Sequence, residues 1–344
     1  MKKLILLIPA LCIIFAAYGQ GEGFELFPDA ENNEIEVFYN GMHFTSYKYS
    51  DNLKKPVLYP LYNSNGTAVT RGFPLNPNPG ERVDHPHHVG LWFSFGDVNG
   101  IDFWNNSEII PAEKKSQYGT ILHREIKDMT TDSESVTLIV TSDWNDYTGK
   151  TLLKAETEYI FGADGHFRTI EHTVTLTAQE EPVVFSDSKE GLFGMRLDKV
   201  FEEISNIPAT RIGMDGEQMN TPTIDNEGVN GIYRNSHGQE REAQTWGKPA
   251  EWVTASAHKE GDDVSVTILD HKNNLGFPAH WHSRGYGLFA ANNMGSQKFH
   301  ESEPAFSYTL NQGQSVTFKH KVIIKGGSFS TDNEINAEFQ KFNK

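Results

Sequence analysis

Hydrophobic and polar residues alternate with a period of two along most of the chain after Glu34. Clear examples are the runs at residues 135–141, 157–161 and 167–176. This alternation is typical of β-strands that bury one face and expose the other. Residues 162–165, Gly-Ala-Asp-Gly, lie between the last two runs and favour a tight turn. These two strands are therefore expected to pair as an antiparallel hairpin.

Similar runs predict further strands near residues 35–38, 57–59, 91–95, 121–126, 183–186, 252–257, 264–269, 287–291, 306–310 and 315–324. Helical spacing is clear only at the C-terminus, where Thr331 and Glu334 match a capping box and Ile335, Phe339 and Phe342 share one face. Residues 63–84 and 206–247 show no period and are expected to be long loops. The predicted fold is all-β: a large antiparallel β-sandwich with long loops and a short C-terminal helix.

The first 19 residues have the pattern of a secretory signal peptide, with Lys2 and Lys3 before an apolar run at residues 4–17. Its removal would leave residues 20–344 as one all-β domain, which we expect to be periplasmic or secreted. Cys12 is the single cysteine and lies within the signal, so the mature chain can form no disulfide and has no thiolate. No later run reaches the ~20 apolar residues that a membrane span requires.

Charge narrows the range of partners. The chain has 30 basic and 46 acidic residues, a formal charge of −16, and loss of Lys2 and Lys3 with the signal makes it −18. Nucleic acid is excluded as an expected partner because its binding requires basic residues that neutralise phosphates. Anionic membrane surfaces are disfavoured for the same reason.

The densest group of chemically active residues is the sequence DHPHHVGLW at residues 84–92. Its histidines could bind a metal, transfer protons near neutral pH or hold a polar ligand. In an extended chain, His85 and His87 would point to one face and His88 to the other. Asp84 and His88 are candidate substrate-binding residues, and His87 is a candidate catalytic residue.

A second group, at residues 280–286, repeats this spacing. His280 and His282 alternate across Trp281. We expect His282 and Arg284 to be catalytic, with Arg284 orienting an oxygen, and Trp281 and Tyr286 to bind substrate. If the fold brings the two groups together, a divalent metal could be bound by a set drawn from both: His85, His87, His280 and His282.

A third segment, residues 187–196, contains two carboxylates and an arginine. Asp187 or Glu190 could act as a general base near the histidines, and Arg196 could hold a substrate oxygen or carboxylate. The alternative for Asp187 is a cap in a solvated turn. Among the aromatic residues, Trp104 is the best candidate for stacking on a sugar ring because turn residues surround it. Nucleophile-elbow, zinc-protease, phosphate-loop and dinucleotide motifs are all missing from the sequence.

Four ordered motifs carry a resemblance to a known family: residues 84–92, 100–104, 189–196 and 281–289. Together they resemble exported bacterial proteins labelled "methane oxygenase PmoA", a domain of unknown function. The resemblance implies a Bacteroidetes-like exported protein, a sandwich similar to galactose mutarotase and a role in carbohydrate use. The label itself does not fit. A particulate methane oxygenase is an integral membrane copper system, whereas this sequence has no apolar run after the signal that is long enough to span a membrane.

Three hypotheses follow for the function. The first is an exported carbohydrate-active enzyme, a hydrolase, lyase or isomerase, that uses histidine and carboxylate acid–base or metal-assisted chemistry on a small sugar or oligosaccharide. The second is a sugar-binding protein without catalysis. The third is a metal-dependent oxygenase, as the family label suggests. The cofactor is open, and a divalent metal is one possibility.

Overall fold

The computed structural model describes residues 22–132 and 134–344, so the predicted signal at residues 1–19 lies outside the described part. The strands are β1 Phe24–Asp29, β2 Glu34–Tyr39, β3 Met42–Lys48, β4 Val57–Leu61, β5 Leu91–Phe95, β6 Thr120–Thr131, β7 Ser135–Asn145, β8 Thr151–Asp164, β9 Phe167–Ala178, β10 Val183–Ser186, β11 Gly191–Arg196, β12 Ile232–Asn235, β13 Trp252–Lys259, β14 Asp262–Asp270, β15 His280–Trp281, β16 Leu288–Asn292, β17 Ser307–Leu310 and β18 Ser315–Lys325. The α-helices are α1 Glu242–Thr245, α2 Ser296–Phe299 and α3 Asp332–Phe342, and 3₁₀ helices span Ala112–Gln117 and Lys199–Phe201.

The predicted all-β class is confirmed, and each predicted strand is present. The strands that the sequence did not predict are β1, β3, β11, β12 and β15. β11 is the important omission, because all six of its residues are buried and a strand buried on both faces shows no alternation. The predicted loop at residues 206–247 was partly wrong, since it contains β12 and α1.

Two eight-stranded antiparallel sheets form the sandwich. The first sheet has the order β1-β2-β3-β4-β5-β11-β16-β15, and the second has the order β12-β13-β14-β18-β9-β8-β7-β6. A separate two-stranded ribbon pairs β10 with β17. The β8–β9 hairpin forms as predicted, with Asp164 opposite Phe167.

The core lies between the two sheets. Phe193 of the first sheet stacks on His172 and His320 of the second, at ring-centroid distances of 4.6 and 4.7 Å. Both histidines are buried, and burial lowers the pKa of His172 to about 3. They are neutral components of the core, which removes them from the candidates for chemistry.

The C-terminal helix is also as predicted. α3 begins with a capping box between Thr331 and Glu334, and Ile335 packs with Trp252 and Ile323 on the second sheet. None of the helices among the described residues is long and apolar enough to cross a membrane.

The outer face of the first sheet positions the candidate site. Trp92 of β5 lies opposite Gly194 of β11, and Gly194 lies opposite Ala290 of β16. The chain continues from β15 so that His282 donates its backbone N–H to the Ala290 carbonyl at 2.9 Å. These four residues form a row across the sheet, with a small residue at each central position.

Candidate active site

The histidine segment at residues 84–88 is a turn rather than an extended strand. His88 donates its backbone N–H to the His85 carbonyl at 2.9 Å, and His85 has a positive φ of 43°. The expectation that His85 and His87 share a face depended on an extended chain and is wrong. His85 and His88 are stacked in parallel, with ring centroids 4.8 Å apart and an interplanar angle of 3°.

These two rings belong to a column of four aromatic rings. Tyr286 stacks on His85 at 5.1 Å, and His88 stacks on Trp92 at 5.2 Å. Tyr286 belongs to the second predicted group, residues 280–286. The column is therefore where the histidine segment at residues 84–92 and this second group meet. It runs from the half-buried Tyr286 past the exposed His85 and then His88 to Trp92, which is buried against the sheet.

Two buried arginines hold the turn. Arg71 donates to the backbone carbonyls of Asp84, His85 and His88 at 3.0 to 3.2 Å. Asp84 Oδ1 accepts from both Arg71 and Arg196 at 2.6 Å. Burial opposes ionisation of Asp84, but the charge of Arg196, the His85 hydrogen bond and Arg71 outweigh it and hold the pKa of Asp84 well below its usual range. Asp84 and Arg196 therefore hold the turn in place, and their contacts with a substrate stay a prediction.

The protonation of His88 follows from its partner. Arg196 can only donate, so its contact of 3.3 Å with Nδ1 makes that nitrogen the acceptor. Burial and the neighbouring positive groups hold the pKa of His88 well below its usual value. The ring is neutral, and its proton is on Nε2, a buried donor without an acceptor among the described residues.

His87 contacts the rings of both other histidines, with centroids 5.7 Å from His85 and 4.3 Å from His88. It lines a cavity of about 230 Å³ together with Lys55, Val57 and Ile109. Burial lowers the pKa of His87 to about 2, and that of Lys55 to about 7. The role of His87 as a catalytic residue stays a prediction.

Glu190 is the accessible carboxylate of the site. It precedes β11, and its side chain is 22% exposed. Its ion-pair partners are distant, with Lys189 Nζ at 3.6 Å and His282 Nδ1 at 3.9 Å. Burial raises the pKa of Glu190, Lys189 opposes that shift and Asp102 adds to it. A carboxyl group in this position can hold a proton closer to neutral pH than an exposed one, which suits acid–base chemistry.

His282 is fixed beside Glu190. Its Nδ1–H donates to the Lys189 carbonyl at 3.0 Å, so the neutral ring presents Nε2 as an acceptor. Burial lowers the pKa of His282 to about 3. Its Nε2 is buried and makes no hydrogen bond to a described residue.

Arg284 lies on a further side of the site and is held there by its own contacts. Arg284 Nε lies 2.8 Å from Glu242 Oε1, and Glu242 Oε2 accepts the backbone N–H of Gly285 at 2.6 Å. The guanidinium lies over the rings of Tyr286, at 5.3 Å, and of Trp246, at 6.0 Å. Burial raises the pKa of Tyr286 to about 12, so its hydroxyl is neutral.

Three predicted site residues have structural roles instead. The carboxylate of Asp187 accepts the backbone N–H groups of Gln297, Lys298 and Phe306 at 2.8 to 3.0 Å, so it is a cap and not a base. Trp104 and Trp281 are fully buried. The indole of Trp281 donates to the Ala250 carbonyl within the core. Neither tryptophan has a free face for a sugar.

The predicted metal set of His85, His87, His280 and His282 does not form a group of close ligand atoms among the described residues. Across residues 22–132 and 134–344, the only group of three candidate ligand atoms that lie within 4.8 Å of one another consists of His280, His300 and Glu303. His280 alone was expected from the sequence. The spacing of His300 and Glu303, three residues apart, was the signal that could have identified them.

Comparison with known proteins identifies the family to which the chain belongs. Residues 34–340 match the model of DUF6807, described as a family of unknown function. The chain belongs to the DUF6807 family. The description assigns no activity to this DUF6807 protein, so the link to PmoA-labelled proteins stays a prediction. No curated protein matches the sequence.

Solved structures with similar folds are distant from this DUF6807 protein. The GH36 α-galactosidase AgaB from Geobacillus stearothermophilus is 10% identical, with a TM-score of 0.42 over 88% of this chain and 41% of its own. A galactose mutarotase-like protein from Lactobacillus casei is 12% identical, with a TM-score of 0.30 over 88% of this chain and all of its own. The 4-α-glucanotransferase from Thermococcus litoralis is 9% identical, with a TM-score of 0.30 over 88% of this chain and 39% of its own. This chain thus spans less than half of AgaB and of the glucanotransferase. TM-scores this low indicate a similar fold only and carry no information about the site of the DUF6807 protein.

Several of those residues were not predicted as site residues. Arg71, Lys55, Glu242 and Trp246 all contact the predicted ones, yet the first three stand in unremarkable sequence. Trp246 is half-buried at the site, and its position in the 206–247 segment was a signal for it. The resulting cluster has a carboxylate, a guanidinium, a phenol and an exposed imidazole, and the rings of Trp92 and Trp104 cover the small residue Gly194 of the sheet beneath it.

Proposed function

We propose that this protein is an exported carbohydrate-active enzyme whose cleft is bounded by His85, Glu190, Arg284 and Tyr286. The observation that carries the proposal is Glu190, a partly buried carboxylate with a raised pKa and only distant ion-pair partners. Structural carboxylates are normally saturated with hydrogen bonds, as Asp187 is. A carboxylate without such bonds at an accessible position is available for a substrate.

The neighbours of Glu190 support a sugar as that substrate. Arg284 and the neutral hydroxyl of Tyr286 can donate to sugar oxygens, and the half-buried Trp246 offers an apolar surface to C–H groups. In this proposal Glu190 takes a proton from the sugar and returns it, while Arg284 stabilises the oxygen on which negative charge develops. His282 donates to the Lys189 carbonyl and so fixes the backbone from which the Glu190 side chain projects.

Substitution of Glu190 with glutamine tests this proposal. The wild type is incubated with glucose, galactose and disaccharides of each, and products are measured by ¹H NMR and mass spectrometry. We expect Glu190→Gln to lower turnover by 10²-fold or more while sugar affinity changes little, because only proton transfer is removed. The matched control is Glu181→Gln, which alters an exposed pair with Lys150 and should leave turnover unchanged.

The same measurements separate the alternatives. Turnover by Glu190→Gln at the wild-type rate would contradict the proposal. Calorimetric binding of a sugar without any product would support a sugar-binding protein instead. If Glu190 acts as the base, turnover falls as the pH drops through its raised pKa, since the protonated carboxyl cannot accept a proton.

A further inference from the structure

We propose that His280, His300 and Glu303 form a binding site for a divalent transition metal, with zinc the best fit. The three residues supply two imidazoles and one carboxylate whose ligand atoms all lie within 4.8 Å of one another. This donor set is typical of sites in which three protein ligands leave one position open. The site does not include Glu190 and is independent of the proposed sugar chemistry.

The distances fit such an ion. His280 Nε2 lies 3.5 Å from Glu303 Oε2. Two ligands of a tetrahedral zinc with bonds near 2.1 Å are separated by about 3.4 Å, so this pair already has the required spacing. His280 Nε2 is also buried and makes no hydrogen bond to a described residue. A buried imidazole nitrogen without a partner normally indicates a missing ligand or water.

His300 is oriented as metal-bound histidines usually are. Its Nε2–H donates to the Gly247 carbonyl at 2.7 Å, which leaves Nδ1 as the nitrogen for the ion. Hydrogen bonds of this kind from the second ring nitrogen fix the tautomer of metal ligands. All the ligand atoms lie within 4.8 Å of one another, so reaching the spacing around zinc requires a movement of no more than about 1.4 Å, which side-chain rotation can supply.

The surrounding chain is already ordered around these three residues. His300 and Glu303 are joined by a turn in which Glu303 donates its backbone N–H to the His300 carbonyl at 2.8 Å. Asp187 accepts backbone N–H groups from both ends of this segment, at residues 297, 298 and 306. Phe299 stacks on His280 with an interplanar angle of 8°. The role of Asp187 in this protein is therefore to hold the two loop ligands opposite β15.

Metal binding is tested on the untagged mature protein after treatment with a chelator. Isothermal titration with ZnCl₂ should give one site per chain with micromolar or tighter affinity. Titration with CoCl₂ should give the visible absorption bands of a four-coordinate ion. We expect CaCl₂ to bind far more weakly, because nitrogen ligands select transition metals over calcium.

Two variants and one control decide the assignment. His300→Ala and Glu303→Gln should each weaken zinc binding at least 10-fold, as loss of a direct ligand does. Since Glu303→Gln keeps the shape of the side chain, it preserves the test if His300→Ala fails to fold. The control is His258→Ala, which removes an exposed imidazole beside Asp263 and should bind zinc as the wild type does.

A wild type without a stoichiometric zinc site would overturn the proposal, and so would zinc affinity that is unchanged in both variants. No sugar is present in the titrations. Failure here therefore leaves the role of Glu190 untouched, and failure of Glu190→Gln leaves the metal site untouched.

Discussion

Two regions of this protein begin with the same dipeptide and fold differently. Asp84-His85 opens one His-x-His pattern, and Asp270-His271 lies nine residues before the other, at His280 and His282. The first region is a turn around two buried arginines, and its histidines stack in a column. The second reaches an edge strand, where Trp281 enters the core and His280 and His282 lie on the opposite side. The difference shows that the spacing of histidines determines a shared face only when the backbone is extended.

The two aspartates differ as much as the histidines do. Asp84 is ionised by Arg71 and Arg196. Asp270 is fully buried without an arginine and accepts from the amides of Asn274 and Asn293 and the backbone N–H of Ala279. Burial raises the pKa of Asp270 to about 7. Both aspartates anchor a loop, but the arginines lower the pKa of Asp84 while burial without such a charge raises that of Asp270.

The largest effect is expected from Asp84→Asn, which leaves two buried guanidiniums without a carboxylate. We expect the free energy of unfolding at pH 7 to fall by about 3 to 5 kcal/mol. The pKa of Asp84 is lowered on folding, so its contribution is present above pH 3.8 and is lost as the pH falls through the folded value. Urea unfolding at pH 7 and at lower pH checks both points. Asp143→Asn, which alters the more exposed pair with Arg124, should cost less than about 1 kcal/mol.

Asp270→Asn should lower the free energy of unfolding by a smaller amount, about 1 to 3 kcal/mol near pH 5, because the new amide nitrogen would face the donors of Asn293 and Ala279. This loss should depend on pH in the direction opposite to that of Asp84→Asn. The pKa of Asp270 is raised on folding, so its contribution is fully present below pH 3.8 and is lost as the pH rises through about 7. The stability gap between wild type and variant should therefore narrow from pH 5 to pH 9. A gap that widens over this range would show that Asp270 is ionised in the folded protein.

The smallest expected effect is the difference in stability loss between one histidine variant from each region, measured in a buffer that contains a chelator. His88 is buried and bonded to Arg196, so His88→Ala should cost about 2 to 3 kcal/mol. His280 lies at the sheet edge with its side chain 13% exposed, and His280→Ala should cost about 1 kcal/mol. Equal losses of thermal stability in the two variants would contradict the distinction between a structural column and a ligand-binding edge.

Local patterns were sufficient for most of the fold. The strands predicted from alternation are present, and the capping box of α3 forms between Thr331 and Glu334. β11 was not predicted because burial on both faces removes the period of two. β15 was not predicted because two residues are too few to show any period.

The candidate site was less predictable. Glu190, His282, Arg284 and Tyr286 were named from the sequence, and the fold places Glu190 beside His282 and Arg284 beside Tyr286. Asp187 was named together with Glu190, and nothing in the local sequence separates a carboxylate that accepts three backbone N–H groups from one that accepts none. Trp104 was named because turn residues surround it, yet its ring is buried.

The sequence by itself determined the fold class, the secondary structure of the alternating runs and the residue types available for chemistry. Each of these depends on neighbours along the chain, where periodicity, turn propensity and capping act. Only the tertiary structure decided which carboxylate is free, which histidines are neutral and which residues face one another. Those properties depend on partners far apart in sequence, such as Arg71 and Arg196 at Asp84 or residues 297–306 at Asp187, because burial and hydrogen bonding follow distance in space.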